Sequence, residues 1–260
     1  MWQVVYDELR GMNLEIVAVA LDTAGRQAVA EKVRPDDPAQ RPEVLRRVRG
    51  WSEEQWSRQR APEFPCLIDE QHLVADLYGM TNVPMAVWID EQGRIVRPAE
   101  PAGATDHFRR MDPETFGVPD EDADALAANR RRYLDALRDW VENGADSEFA
   151  LAADEVRRRT RRPQERDVRA ALHVRIGRKL YQRGNLEAAK RHMRKAVELC
   201  PEKWDYRRQS LVLDPEAVGT IDLSSEYNER ADASNPDAYY LPIDMPGIES
   251  RPDWVGRTAG

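Results

Sequence analysis

Two cysteines, four histidines and one Val-Pro step carry most of the chemistry open to this chain. Cys66 lies in the run Phe64-Pro65-Cys66-Leu67-Ile68, and Cys200 closes an amphipathic stretch just before Pro201. A thiol becomes a nucleophile when a cation, a helix N-terminus or a partner cysteine lowers its pKa. Cys200 has no sequence neighbour that would do so. Cys66 has two readings: a resolving or peroxidatic thiol, or a small apolar residue filling a strand, where buried cysteine is inert. We take the second. His72 and His107 share no metal-ligand spacing with cysteines or carboxylates and read as surface residues. No cofactor and no metal is implied. Pro84 stands at the mouth of the apolar run 85–89, where it cannot supply a ladder N–H. A cis Val83-Pro84 bond is expected, since only X–Pro bonds adopt cis at modest cost.

These residues need elements to position them. The run 64–68 is closed by Asp69 and Glu70 and reads as a buried strand followed by a helix. That helix carries Leu73, Val74 and Leu77 on one stripe and stops at Gly79. Residues 85–89 and 94–97 flank a Gln92-Gly93 turn and form a β-hairpin. Upstream, Trp2, Val5, Tyr6 and Leu9 have helical spacing, ended by Gly11. The nearly all-apolar run 14–21 reads as a strand buried on both faces, as parallel strands are.

Strand, helix, prolyl turn, strand, Asp-x-x-Gly turn, strand resembles the second half of a thioredoxin fold. The similarity is to the redoxin group: thiol–disulfide reductases of the TlpA/ResA kind and alkyl hydroperoxide reductase/thiol-specific antioxidant proteins. It rests on F-P-x-L-I-D, A-D-L-Y-G, the V-P turn and W-I-D-E-Q-G-R-I, and covers residues 1–100. The resemblance implies a thioredoxin-like three-layer α/β sandwich over 1–144, lacking the first strand and the redox-motif turn. It also implies that Val83 offers backbone groups to an extended substrate peptide, that Pro84 presents its edge, and that Asn82 and Met85 flank them.

In redoxin reductases the C-x-x-C pair opens the helix preceding the 14–21 strand, where the helix dipole favours the thiolate. That position falls before Met1, and no C-x-x-C occurs in the 260 residues. Either the start lies upstream or the motif is lost with the scaffold kept. Two cysteines are too few for a disulfide framework and fit a reducing compartment. The first residues lack a basic-then-apolar signal pattern, and no apolar run approaches a membrane span. The expected location is cytoplasmic, with no membrane partner. A net charge of −8 argues against nucleic acid as a partner. The 157–162 arginine cluster reads as a solvated helix end.

Between strand and strand, residues 23–63 hold helical stretches at 24–33 and 43–60 around Pro35, Pro38 and Pro42. Trp51 and Trp56 there read as packing rather than as a binding surface. Residues 100–124 read as a loop and 124–143 as a helix with Leu126, Tyr133, Leu134, Leu137, Trp140 and Val141 inward. A helical domain over 145–213 begins with a charged connector, 148–164, broken by Pro163. Within it, Gly177, Leu180, Gly184, Ala189, Met193, Ala196, Leu199 and Pro201 make residues 170–203 resemble one tetratricopeptide repeat. A single repeat cannot bury its faces alone. It is expected to lean on the 124–143 and 204–213 helices, and to serve as an appendage that stabilises the redoxin-like domain or a homodimer. The tail, 214–260, is polar except around 239–246, an apolar segment expected to dock.

Two functions follow. One is a redoxin-family thiol–disulfide oxidoreductase or antioxidant protein, acting on thiol or disulfide proteins and inactive without its cysteine pair. The other is a non-catalytic module that holds a peptide in the cis-proline groove, or a protein partner on the helical domain.

Overall fold

The computed structural model describes residues 2–22, 25–26, 46, 51–58, 61–110, 112, 115, 117–160, 162–213 and 242–249. All but Gly25 and Arg26 of the helical stretch expected at 24–33, half of that at 43–60, and Tyr239-Tyr240 of the docking segment lie outside the described residues.

Helix α1, Trp2–Leu9, buries Val4, Val5 and Leu9 on its apolar stripe. A 3-10 turn, Arg10–Met12, extends it past Gly11. The stop is Asn13 in the left-handed region at φ 67°, which a short polar side chain tolerates. Strand β1, Ala18–Ala20, then runs parallel to β2, Cys66–Ile68, with Ala18 opposite Cys66 and Ala20 opposite Ile68. Between them α2, Glu53–Ser57, opens on a capping box from Ser52 and Gln55. Trp56 is buried against Trp51 with ring centroids 5.3 Å apart, the packing role expected.

Helix α3, Leu73–Tyr78, ends on Gly79 at φ 67°, the expected cap. Strands β3, Met85–Ile89, and β4, Ile95–Pro101, form the expected antiparallel hairpin. Its turn is tied by Asp90, whose Oδ1 accepts from the N–H groups of Gln92 and Arg94 at 3.0 and 2.8 Å. Among the described residues the β1–β2 and β3–β4 ladders are separate two-stranded sheets.

Burial departs from the sequence reading here. Val17, Cys66 and Leu67 are exposed and β1 is only half-buried; Cys66 and Leu67 point to opposite faces of β2, so neither face is covered there. Leu77 is 74% exposed and Leu73 also faces out; α3 buries Ala75 and the preceding His72 instead. His107 is buried too, its Nδ1 3.0 Å from the Thr105 hydroxyl. Neither histidine is the surface residue expected.

Helix α4, Asp120–Asn143, starts with three acids in its first turn, favourable at the positive end of the dipole, and stops at Gly144. Its stripe is the centre of the larger core: Tyr133, Leu134 and Leu137 pack with Val5, Leu9, Trp88 and Phe149. Trp88 donates its indole N–H to the Tyr133 hydroxyl at 3.0 Å and stacks on Trp140. The tail segment 242–249 docks on this core through Ile243 and Met245. Asn129 clamps it by a backbone pair with Glu249, at 2.7 and 3.0 Å.

Beyond α4, helix α5, Ala153–Arg159, ends in Arg157, Arg158 and Arg159, paired with Asp154, Glu155 and Asp244: a solvated helix end, as expected. Helices α6, Glu165–Gln182, and α7, Leu186–Leu199, form a hairpin turned at Gly184, φ 76°. Close approach needs Gly177, where an added Cβ would meet the Met193 sulfur at 3.0 Å. This second core holds Ala170, Val174, Met193, Ala196, Cys200 and Tyr206, the last from α8, Trp204–Leu213. So the hairpin leans on α8, while α4 belongs to the other core. No helix among the described residues is long and apolar enough to cross a membrane.

Candidate functional site

The cis-prolyl loop follows α3. The Val83-Pro84 bond is cis, as expected. Asn82 is buried, and its side-chain oxygen accepts the Val83 N–H at 2.9 Å. The Met85 sulfur accepts the Thr81 N–H at 3.3 Å, and the Pro84 carbonyl accepts from Ala102 at 3.2 Å. The four residues implicated by sequence are therefore together, with Asn82 as the anchor and Val83 and Pro84 exposed at the tip. One implied role changes. The Val83 N–H already has an internal acceptor, so it is not freely offered to a peptide.

What packs behind the loop was not legible as a site. The Thr81 carbonyl accepts the Asp205 N–H at 3.3 Å, which brings the start of α8 onto the loop. There Asp76 of α3 accepts from the Lys203 ammonium at 2.7 Å and the Tyr206 hydroxyl at 2.5 Å. Lys203 also lies over the Tyr206 ring, 4.1 Å from its centroid. Burial, and then the Asp76 carboxylate, push the Tyr206 phenol far above its ordinary value, so it stays a donor. Beside this trio, His72 Nδ1 is 3.7 Å from Asp205 Oδ2, with both side chains buried and the His72 backbone left-handed at φ 53°. Neither ring nitrogen of His72 and neither carboxylate oxygen of Asp205 makes a hydrogen bond among the described residues. His72 and Asp76 are four apart across a helix start, and Lys203, Asp205 and Tyr206 cluster at another. That spacing is the one trace of the junction in the sequence.

The thiols are placed apart from this geometry. Cys66 is exposed on β2 rather than filling a buried strand; its Sγ is 3.5 Å from the Phe64 carbonyl, and desolvation raises its pKa. Cys200 is buried and points its thiol at Asp167 Oδ1, 3.4 Å away; burial first, then that carboxylate, push it up to about 12. Both are thiols at neutral pH, neither an activated thiolate. Asp167, Cys200 and Glu202 bring donor atoms within 4.8 Å of one another. Each is already engaged: Asp167 caps α6 through the Gln164 N–H, and Glu202 pairs with Arg166.

No protein-family model, no curated protein and no solved structure matches the chain.

Proposed function

We propose that the chain is a thioredoxin-like scaffold used without thiol chemistry, a module that holds an extended peptide of a protein partner beside its cis-prolyl loop. One observation carries this reading. Strand β3 starts directly after Pro84, pairs with β4 on one side, and has no partner strand on its other edge among the described residues. An open edge is a template for strand addition: backbone groups supply affinity and alternate side chains supply selectivity. The exposed Val83 and Pro84 tip stands where such a strand would begin. A parallel pair and an antiparallel pair are also what a mixed sheet becomes when one interior strand is missing, which supports the thioredoxin-like reading. The raised thiols of Cys66 and Cys200 favour binding over redox turnover.

Reduced, carboxymethylated insulin B chain serves as an extended probe. Titrating it into the full chain should slow hydrogen exchange at the backbone amides of Met85–Ile89, equally in wild type and Cys66→Ser. The unmodified chain should reduce neither insulin disulfides nor hydrogen peroxide. Unchanged exchange in β3 would remove the binding reading, and turnover lost in Cys66→Ser would restore the oxidoreductase one.

A further inference from the structure

Helix α6 has apolar residues on two opposite faces. Ala170, Val174 and Gly177 bury one face against α7. On the other, Val168, Leu172 and Ile176 repeat every four residues, one above the other along the helix. They are 54%, 50% and 43% exposed. Helix α7, by contrast, keeps Ala189, Met193 and Ala196 on its single buried face. Scattered exposed apolar residues need no explanation, but a continuous stripe does.

The charges beside the stripe say what would cover it. Arg169 and Arg175 flank Leu172 on its two sides, and Lys179 continues the row one turn beyond Arg175; all three are exposed. None of the three forms an ion pair or hydrogen bond among the described residues. Glu165, at the start of the helix, is the lone acid on that face. The face is therefore cationic on a chain whose net charge is −8. Two copies meeting through it would set like charges against each other.

We propose that the outer face of α6 docks an acidic amphipathic helix of a partner protein. The partner's apolar ridge would pack on Val168, Leu172 and Ile176, and its carboxylates would meet Arg169, Arg175 and Lys179. An amphipathic partner helix presents its apolar anchors along one face, and the flanking charges set orientation and on-rate. This surface is separate from the cis-prolyl loop and does not rest on the strand-addition reading.

The probe is a fluorescein-labelled amphipathic peptide, with leucines along one face and glutamates beside them, titrated into the full chain by anisotropy. Saturable binding is expected, weakening as salt rises. Leu172→Asp and Ile176→Asp should each weaken it about tenfold or more. Arg175→Glu, a surface change that leaves the apolar stripe intact, should weaken it as well. Val83→Ala should leave it unchanged. The inference is overturned if a lysine-for-glutamate version of the peptide binds as tightly, or if these α6 variants bind like wild type. It is equally overturned if the chain ignores the peptide and instead self-associates, or binds phosphatidylserine vesicles, through Leu172 and Ile176.

Discussion

Lys203, at the start of α8, places its ammonium 2.7 Å from the Asp76 carboxylate on α3, joining the helical hairpin's support to the cis-prolyl loop. The Lys203 side chain is only 8% exposed and that of Asp76 17%, so the pair is largely shielded from screening. Removing one partner of a buried pair costs more than the pair itself contributes, because the survivor is stranded.

Asp76→Ala should therefore destabilise the chain by about 3 kcal/mol. Tyr206→Phe, which removes one donor and leaves the ion pair, should cost about 1 kcal/mol. Urea unfolding followed by tryptophan fluorescence measures both. Equal costs would show that the ammonium is not stranded. Asp76→Ala combined with Lys203→Met should recover part of the loss, since no buried charge is left alone.

Arg97 on β4 is the corresponding keystone for the tail. Its guanidinium grips Glu100 with two bonds of 2.7 and 2.8 Å and donates to the carbonyls of Phe149 and Asp244 at 3.0 Å each. An ammonium cannot reproduce that fork. Arg97→Lys should release the 242–249 segment to limited proteolysis while leaving the α6–α7 hairpin protected. Ile243→Ala should do the same by opening a cavity, at about 2–4 kcal/mol. Unchanged cleavage in both variants would mean that the segment is held by other contacts.

The two thiols should differ sharply towards iodoacetamide in the folded chain. Cys66 is exposed, whereas Cys200 is buried with a pKa near 12. At neutral pH the Cys200 thiolate is rarer than that of an ordinary cysteine by about a thousandfold. Mass spectrometry should find Cys66 modified first and Cys200 only after denaturant is added. Comparable native rates would contradict the buried Asp167 contact.

Glu8 supplies a pH signature. The Arg138 guanidinium donates to both its oxygens, at 2.6 and 2.9 Å, and holds its carboxyl below the ordinary 4.5. A depressed folded pKa contributes stability that is present above the unfolded value and is lost as pH falls through the folded one. The pair is solvent-facing, so Glu8→Gln should cost only about 0.5 kcal/mol at neutral pH. That difference should vanish in acid once the wild-type carboxyl is protonated. A difference that persists there would assign the effect to packing.

Local signals in the sequence were sufficient for the elements. Gly79 and Gly144 end their helices, Gly93 turns the hairpin, and Gly177 with Ala189 and Met193 sets the α6–α7 approach. Each depends on backbone conformation or on spacing within one element, which neighbouring residues dictate. The docking of an apolar tail segment was legible too, since Ile243 and Met245 have no other way to leave water.

Burial around α3 was not legible, because it depends on what arrives from far away in the chain. Leu77 reads as core and stands in solvent, while His72, polar and next to Leu73, is buried. The difference is made by Asp205, which stands 133 positions further along the sequence and faces His72 across the junction. Helix periodicity shows which residues share a face. Only the tertiary structure decides which face is covered, because burial of apolar area and pairing of buried charge are paid between elements, not within them.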